Sequence, residues 1–531
     1  MMMLLLLAVP TFIAWAQIPP SPSLTYERVA RADAEPGNWL TYNGNYASHH
    51  YSRLDQINRS NVSRLRMNWM YQIRSRQHFE TTPLVFDGMM LLTEPPSDVT
   101  ALDLRTGRPL WQYRRSIPEG VIVCCGQVNR GVAVLGDQVY VGTVDGHLVA
   151  LDIRTGRVRW DVEVADFRTG YSITAAPLAV KDKIIVGIAG AEYGVRGFLD
   201  AYDARTGKLA WRFWTTPAPG EAGNETWSGD SWKRGGATTW VTGSYDPSLN
   251  LIYWGTGNPG PDYDGTVRLG DNLYSDAVIA VDADTGKLKW HFQFTPHDVN
   301  DMDSNQIPVL LDAAWQGKPR KLMLFANRNA FYYVLDRATG EFLLAKQFAR
   351  QNWAKSIDAK GRPVPNPETE PNDKGALVYP DDDGTSNWFN PSYSPLTNLF
   401  YQSVREKGAY YFRTESPYVP GRAYLGASKR NIPKEEPYGA IRALRPLTGE
   451  KVWEFRLHSP PWGGLLATAG GLVFSGSMEG DFFALDDRTG KPLWRVQTGG
   501  EVWSNPLSYL WEGRQHIVIA AGSALLTFTV D

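Results

Sequence analysis

The stretch of sequence that decides the fold is Ala150-Leu-Asp-Ile-Arg-Thr-Gly-Arg-Val-Arg-Trp160. Its Asp and its Thr-Gly pair are typical of a tight turn, in which Gly is free to take a positive φ. Apolar residues alternate on either side of the turn, as they do along neighbouring strands. The stretch therefore predicts the end of one strand, a turn and the start of the next strand, with the Trp packing between adjacent units.

The same pattern recurs along the whole chain. Full copies lie at Ala101–Trp111, Ala150–Trp160, Ala201–Trp211, Ala280–Trp290 and Ala484–Trp494. Weaker copies lie at Val334–Leu344, where Leu replaces Trp, and at Ala443–Trp453, where Arg445 replaces Asp. Repeats of about 40 to 50 residues built from short strands indicate a β-propeller, because each blade buries its faces against its neighbours.

An eighth unit is expected from the two ends of the repeat array. Leu54–Trp69 would pair with strands around Ile517–Val530, which would close the ring and remove an exposed sheet edge. We therefore predict an all-β fold, an eight-bladed β-propeller with Trp-docking repeats, in a single domain over residues 17–531. Long insertions follow Trp211 and Leu344, and long loops on a rigid ring are where binding sites are usually built.

The charge balance excludes some partners. The chain has 54 Lys and Arg against 56 Asp and Glu, a net charge of −2. A protein that binds the phosphate backbone would carry a basic excess, so we expect no nucleic-acid partner. The same balance gives no reason to expect docking to an anionic membrane.

The first sixteen residues are predicted to be an export signal. An apolar run from Leu4 to Ile13 is followed by Ala14-Trp15-Ala16, which has the form of an A-x-A cleavage site. We therefore expect residues 1–16 to be removed and the protein to be periplasmic. A single membrane anchor is the alternative, but the run is too short to span a bilayer comfortably. Charges and prolines interrupt every later apolar run, so an integral membrane protein is not expected.

Cys124 and Cys125 are adjacent and are the two cysteines of the chain. In an exported protein an even count suggests a disulfide. Neighbouring Cα atoms lie only about 3.8 Å apart, so such a ring would be strained, and two free thiols are the alternative. Two thiols without a further Cys or His make a poor zinc site, and the sequence contains no C-x-x-C-H motif for covalent haem attachment.

Four motifs occur together around these cysteines and beyond them. They are Cys124-Cys125-Gly-Gln-Val-Asn-Arg130-Gly131, Gly190-Ala-Glu192-Tyr-Gly-Val-Arg-Gly197, Trp254-Gly-Thr-Gly-Asn258-Pro-Gly-Pro and His297-Asp-Val-Asn-Asp301-Met-Asp303. In this order they resemble the family of methanol and ethanol dehydrogenases that depend on pyrroloquinoline quinone (PQQ). The likeness extends over nearly the whole chain, from Trp39 to the last blade.

The resemblance implies a set of cofactor-binding residues. PQQ would lie flat between Trp240 and a vicinal disulfide of Cys124 and Cys125, and a planar cofactor gains contact area from an indole face. Because PQQ carries three carboxylates, it needs donors around its rim, and Arg can offer two N–H groups to a carboxylate. The rim positions implied by the family are Glu80, Arg130, Thr174, Gly190, Ala191, Arg328, Asn387 and Trp462.

The resemblance also implies one metal ion. Its ligands would be Glu192, Asn258 and Asp301, whose oxygens suit a hard cation. Asp303 decides between metals, because family members that use lanthanides place a second carboxylate at this position, whereas those that use Ca²⁺ place a small or neutral residue there. A trivalent ion needs more negative charge, which favours a lanthanide over Ca²⁺. The alternative is that Asp303 caps a turn and faces solvent.

The activity implied is oxidation of a small alcohol to an aldehyde. Asp301 would be the general base and Arg328 would stabilise charge on the quinone oxygens. With no haem motif in the chain, electrons would pass to an external, soluble cytochrome c-type acceptor. Two other functions stay open at this point, a PQQ sugar or polyol dehydrogenase and a non-catalytic propeller scaffold of the outer-membrane assembly type.

Overall fold

The computed structural model describes residues 23–530, so the predicted signal peptide lies outside the described residues. The described chain is mostly strand. Its one α-helix is Tyr26–Ala30, and short 3-10 helices occur at Ala32–Ala34, Val62–Arg64, Phe167–Thr169, Ala191–Tyr193, Asn224–Thr226, Ser231–Arg234, Gly265–Val267 and Pro367–Thr369. Among these helices, none has the length and apolar character needed to cross a membrane.

Eight sheets of four or more strands, named here sheets 1 to 8, organise the described residues. Sheets 1 to 5 each use four strands that are consecutive in the chain. Sheet 1 contains Leu84–Phe86, Met89–Glu94, Asp98–Asp103 and Pro109–Tyr113; sheet 2 contains Ala133–Leu135, Gln138–Gly142, His147–Asp152 and Val158–Glu163. Sheet 3 contains Leu178–Val180, Lys183–Gly187, Phe198–Asp203 and Leu209–Trp214; sheet 4 contains Ser244–Asp246, Leu251–Gly255, Ala277–Asp282 and Leu288–Gln293; sheet 5 contains Val309–Trp315, Lys318–Ala326, Phe331–Asp336 and Phe342–Gln347.

Sheets 6 to 8 are less regular. Sheet 6 contains Ser392–Ser394, Leu399–Glu406, Tyr438–Leu444 and Lys451–Leu457; sheet 7 contains Leu466–Thr468, Leu472–Gly476, Asp481–Asp486 and Pro492–Gln497, with Tyr51–Ser52 added in parallel at its edge; sheet 8 contains Arg66–Gln72, Leu507–Trp511, Arg514–Ala521 and Ala524–Thr529. The insertion after sheet 5 and the insertion within sheet 6 form two small sheets, Ala354–Ile357 with Pro363–Pro365, and Ala376–Val378 with Ala409–Arg413 and Ala427–Asn431.

Sheet 8 joins the two ends of the described chain. Arg66–Gln72 pairs antiparallel with Ala524–Thr529, with Trp69 opposite Thr527. The predicted pairing of an early segment with the C-terminal strands is therefore confirmed for Arg66–Trp69, whereas the rest of the predicted segment, Leu54–Leu65, contributes no strand. An all-β, propeller-type fold is also confirmed, because each full repeat supplies the third and fourth strands of a sheet.

The repeat Trp residues dock each sheet on the next one. Trp111 Nε1 donates to the carbonyl of Ile153 over 2.8 Å, and its ring lies against Gly156, where an added Cβ would come within 2.4 Å of the indole. Gly156 has φ +67°, which a residue with a side chain adopts only at a cost. Equivalent Trp-to-carbonyl bonds run from Trp69 to Leu104, Trp160 to Ala204, Trp211 to Ala283, Trp290 to Arg337 and Trp453 to Asp487.

Other contacts link the remaining sheets. Leu344 stands in the Trp position of sheet 5, and there the hydroxyl of Tyr332 donates to the carbonyl of Pro446 in the turn of sheet 6 over 2.9 Å. Trp494 of sheet 7 packs edge-on against Phe528 of sheet 8, with ring centroids 5.5 Å apart. These hydrogen bonds and ring contacts therefore join each sheet to the next one. They begin between sheet 8 and sheet 1, continue in order to sheet 7, and end between sheet 7 and sheet 8.

Candidate active site

One apolar cluster brings together residues most of which come just before the first strands of different sheets. Because these residues stand at the same place in each unit, they meet where the sheets converge. We call this the central cluster, and it contains Tyr42, Ala176, Val241, Ile307, Trp388 and Phe389, with Trp240, Trp462 and Trp503 packed against it. Two of the predicted cofactor-binding residues, Trp240 and Trp462, therefore lie in contact with the same cluster.

Three predicted rim residues form a buried polar chain beside the cluster. Glu80 and Arg130 are ion-paired, with Oε2 2.8 Å from Nη2, and Arg130 Nη1 donates to Oγ1 of Thr174 over 2.9 Å. Burial raises the pKa of Glu80 to about 7, although the charge of Arg130 opposes the shift. The Arg130 guanidinium also lies 5.1 Å from the ring centroid of Trp240.

Asp303 faces the interior, with only 5% of its surface exposed. Its Oδ2 accepts from Nε1 of Trp240 over 3.1 Å, and its Oδ1 accepts from the backbone N–H of Asn258 over 2.8 Å. Asp303 therefore does not cap a solvent-exposed turn. It connects the indole predicted to cover the quinone with a predicted metal ligand.

Arg328 bridges the two aspartates of the His297–Asp303 motif. Its Nη1 lies 2.9 Å from Oδ2 of Asp303 and 3.0 Å from Oδ1 of Asp301, and it also donates to the Asp301 carbonyl. Burial raises the pKa of Asp301 well above its ordinary value, and the positive charge of Arg328 opposes that shift. Asp301 also has φ +57°, in the left-handed region where non-glycine residues are uncommon and where functional residues are often found.

Glu192 lies beside the adjacent cysteines. A carboxylate oxygen of Glu192 and the two Sγ atoms lie within 4.8 Å of one another. Burial raises the pKa of Glu192, a shift that a hydrogen bond with Cys124 opposes. Both cysteines are free and their Sγ atoms are 2.6 Å apart, so the predicted disulfide is not formed in this structure and stays a prediction.

The predicted metal ligands are near one another but do not form one compact group. The negative charge of Asp303 contributes to the raised pKa of Glu192, and Asp303 contacts Asn258. Within the described part of the chain, however, the oxygens of Glu192, Asp301 and Asp303 are not all within 4.8 Å of one another. Arg328 Nη1 contacts a carboxylate oxygen of both Asp301 and Asp303.

The remaining predicted rim residues are buried or partly buried at the same centre. Gly190 has φ +123°, and an added Cβ would come within 2.2 Å of the Gly170 carbonyl, so a residue with a side chain does not fit there. Ala191 begins the short helix that carries Glu192. The Asn387 amide donates to the carbonyl of Asp383 over 2.8 Å. Trp462 lies under the guanidinium of Arg405, 4.0 Å from its ring centroid.

Sequence reasoning missed several polar residues of this region. Asp262 is 1% exposed and its Oδ1 has no hydrogen-bond partner among the described residues. Burial, followed by the charge of Glu192, raises the pKa of Asp262 well above its ordinary value. A carboxylate four residues after Asn258 was the signal that could have found it. Asp381, Asp382 and Asp383 form a second acidic group, which Lys407, Lys429 and Arg405 neutralise.

Several buried donors are left without partners at the centre. They are Nε of Arg130, Nε of Arg328 and Nε2 of Gln306, each without a hydrogen-bond acceptor in the described chain. Unpaired buried donors cost free energy, so a site of this kind favours a ligand that carries several acceptor oxygens. A flat molecule with carboxylate and carbonyl oxygens fits this donor set, with the Trp240 ring beside it.

A family model described as "Glucose/ethanol/alcohol dehydrogenase, beta-propeller domain" matches residues 39–347. The chain belongs to the PQQ-dependent alcohol dehydrogenases. Residues 438–530 of this alcohol dehydrogenase match a second model, that of outer membrane protein assembly factor BamB.

The relatives of this alcohol dehydrogenase are similar over most of their length. It is 38% identical to the quinoprotein alcohol dehydrogenase PedH of Pseudomonas putida over 94% of this chain and 88% of the relative. It is also 38% identical to a lanthanide-dependent methanol dehydrogenase of Methylacidiphilum fumariolicum, over 93% and 86%. Among solved structures, a europium-containing methanol dehydrogenase superposes with a TM-score of 0.91 at 34% identity, covering 95% of this chain and all of that one. The chain is thus an oxidoreductase of this family, and the scaffold alternative is excluded.

Proposed function

We propose that the enzyme oxidises a primary alcohol to an aldehyde with Asp301 as general base. The observation that carries this proposal is the contact of Arg328 Nη1 with Asp301 Oδ1 at 3.0 Å and with Asp303 Oδ2 at 2.9 Å, beside Trp240. One guanidinium thereby fixes the base next to the residues expected to hold the cofactor. A base must lie within hydrogen-bond reach of the proton it removes, and this arrangement orients Asp301 for that role.

PQQ would be held at the central cluster. Trp240 would form one wall and Cys124 with Cys125 the other, with Arg130, Glu80 and Thr174 at the rim. Support comes from the buried donors that have no partner, Arg130 Nε and Arg328 Nε, because acceptor oxygens of a ligand would satisfy them. Gly190, Ala191, Asn387 and Trp462 complete the proposed set.

The metal ion would be held by Glu192, Asn258, Asp301 and Asp303. Carboxylate and amide oxygens suit Ca²⁺ and lanthanides alike. Two observations favour a lanthanide. Asp303 places a further buried carboxylate at the site, and relatives with similar sequences are lanthanide-dependent methanol dehydrogenases. Arg328 would have to release part of its contact with the two aspartates when the ion binds.

When bound, PQQ supplies the two-electron acceptor and the metal ion supplies a Lewis acid. The residues of the chain do the rest. Asp301 accepts the hydroxyl proton of the alcohol, and the buried site strengthens its attraction for that proton. The positive charge of Arg328 opposes the same shift and so favours the ionised form of Asp301.

The ring architecture follows from the contacts between sheets. We infer that the eight sheets are eight blades, closed by the pairing of Arg66–Gln72 with Ala524–Thr529. The site would then lie on the ring axis. Export to the periplasm through residues 1–16 and transfer of electrons to a soluble cytochrome c-type acceptor complete the proposal.

The test is a reconstitution of the purified protein with PQQ and a metal ion. Reduction of a small dye is followed with a panel of primary alcohols, aldehydes and polyols. We expect turnover with primary alcohols. Turnover with sugars or polyols alone would instead support the related sugar and polyol dehydrogenases, and no turnover with any alcohol would contradict the proposal.

A further inference from the structure

Three aromatic side chains form a continuous parallel stack beside the central cluster. Trp462 and Trp503 have ring centroids 5.1 Å apart and an interplanar angle of 13°. Trp503 and His78 have centroids 3.8 Å apart and an angle of 6°. These three residues are named here the aromatic stack. They come from segments that precede sheet 7, sheet 8 and sheet 1, so three units of the fold bring them together.

The two ends of the aromatic stack lie in different environments. At the inner end, Trp462 packs against the central cluster, as Trp240 does. The guanidinium of the buried Arg405 lies over the Trp462 ring, 4.0 Å from its centroid. At the outer end, His78 is solvent-exposed. The stack therefore leads from the proposed cofactor site to the surface of the protein.

The stack is not part of the Trp-docking system. Repeat Trp residues such as Trp111 donate their indole N–H to a carbonyl of the next sheet, which fixes one blade on another. Trp503 instead donates to the side chain of the exposed Glu501 over 2.8 Å. Parallel stacking of three rings also differs from the edge-on contacts, such as Trp494 with Phe528, that close the hydrophobic layers between sheets. Blade docking therefore does not account for these three residues.

The chemistry of the enzyme requires an exit for electrons. Oxidation of an alcohol to an aldehyde leaves two electrons on the cofactor and releases two protons, one of which Asp301 accepts, whereas a ferric haem takes one electron at a time. The sequence has no motif for a covalently attached haem. Electrons must therefore reach the surface singly, and overlapping aromatic π systems offer better electronic contact than saturated side chains do.

We propose that the aromatic stack is the route by which electrons leave the enzyme, and that a one-electron haem protein takes them at His78. The proposal rests on the proposed function, since it needs a reduced cofactor at the central cluster. The electrons and protons of the reaction balance. The cofactor gives up two electrons in two successive steps, the site releases two protons to water, one of them from Asp301, and two ferric haems become ferrous. No covalent bond forms or breaks in Trp462, Trp503 or His78.

The experiment replaces the natural acceptor with a photo-oxidisable ruthenium bipyridyl complex coordinated to His78. Peptide mapping identifies the labelled histidine. In the holoenzyme reduced with alcohol, a laser flash generates the oxidised ruthenium, and its reduction by the cofactor is timed. As the control, the complex is placed on His458, which is also exposed and has no aromatic contact in the described chain. We expect electron transfer from the cofactor to the label on His78 to be faster than to the label on His458 by about tenfold or more.

Two substitutions test the middle of the stack. Trp503→Leu should slow transfer to the His78 label by about tenfold or more, whereas Trp503→Phe, which keeps an aromatic ring, should slow it much less. Trp232→Leu, a change at a Trp outside the stack, should leave transfer unchanged. If Trp503→Leu does not fold, the His78 and His458 comparison and the Phe variant still decide the question.

Dye reduction separates the two proposals. A small diffusible dye reaches the cofactor directly, so His78→Leu should keep dye-linked alcohol oxidation while it slows reduction of a c-type cytochrome. Equal rates of electron transfer to the two labels, or equal rates in the Leu and Phe variants, would overturn the electron route. Loss of dye reduction in the wild-type enzyme would overturn the proposed function instead.

Discussion

The indole Nε1 of Trp240 donates to Oδ2 of Asp303 over 3.1 Å. Trp240 is expected to cover one face of the quinone, and Asp303 is expected to face the metal ion. One hydrogen bond therefore couples the position of the indole wall to the charge at the metal site. A change at Asp303 should affect both metal preference and cofactor stacking.

Asp303→Ala should lower lanthanum-supported activity far more than calcium-supported activity. Three neighbouring carboxylates repel one another unless a cation offsets them, and a trivalent ion does so better than a divalent one. The measurement is alcohol-dependent dye reduction by apo-enzyme reconstituted with either ion. Asp303→Asn is the matched control, since it removes the charge and keeps the shape. Two results together would count against a lanthanide as the native ion: wild-type activity with calcium that equals its activity with lanthanum, and lanthanum-supported activity that is unchanged in the variants.

Asp301→Asn should keep the fold and most PQQ binding but lose nearly all turnover. Removal of a general base typically costs on the order of 10² to 10⁴ in rate. The carbonyl of residue 301 can still accept from Arg328, so the local structure should persist. Bound PQQ is measured by absorbance and turnover by dye reduction. Wild-type turnover in this variant would remove Asp301 from the mechanism.

Oxidation of the protein should join Cys124 to Cys125. Their Sγ atoms already lie 2.6 Å apart, so little movement is needed to form the bond. Mass spectrometry of the unreduced, exported protein should find the peptide lighter by two hydrogens than its dithiol form. Full alkylation of both thiols without a reductant would show that the pair is free.

The cofactor-free protein should lose stability as the pH rises from about 4.5 to about 7. Glu80 has its pKa raised by burial to about 7 from an ordinary value of 4.5, so the folded state binds a proton more tightly than the unfolded state does. The stabilisation is fully present below pH 4.5 and is lost as the pH passes 7, by ~3 kcal/mol for this group alone. Thermal melting across this range should therefore fall more steeply in the wild type than in Glu80→Gln. If the melting temperatures of the wild type and of Glu80→Gln changed in parallel with pH, Glu80 would not be the group that causes the loss of stability.

Gly156→Ala should destabilise the protein more than Gly136→Ala does. Both glycines have φ near +65°, so both alanine variants strain the backbone by ~1–2 kcal/mol. Only the Cβ at position 156 meets the docked Trp111, at 2.4 Å, whereas nothing lies within 4 Å at position 136. Overpacking adds ~1–3 kcal/mol. The melting temperature of Gly156→Ala should therefore be lower than that of Gly136→Ala. Equal values would show that Trp111 can move away from the added methyl group at little cost.

The propeller could be predicted because its signal is local. The turn of Asp152, Thr155 and Gly156 satisfies its own hydrogen bonds within a few residues, so the sequence pattern and the structure coincide at every copy. The pairing of Trp69 with Thr527 was also predictable, because a ring of sheets leaves an unpaired edge unless its ends meet.

The site was predictable only where a motif carried it. Arg130, Trp240 and Asp303 were found through the resemblance, and they do lie in one connected set. The Asp381–Asp383 group was missed because no local pattern marks a carboxylate whose partners come from other segments. For Asp262, its place four residues after Asn258 was a local signal that the sequence reasoning did not use. Nor could any pattern reveal that Arg328 bridges Asp301 and Asp303, since that depends on side-chain placement.

The pairing of Arg66–Gln72 with Ala524–Thr529 has a consequence for how the chain folds. The first of these strands leaves the ribosome some 450 residues before its partner, so it waits unpaired while the intervening sheets are made. Non-local pairing of this kind slows folding and leaves edges open to aggregation. We therefore expect chaperones to bind the incomplete chain through this early strand. We also expect substitutions near Thr527, in the C-terminal partner strand, to lower the yield of folded protein more than the activity of the protein that does fold.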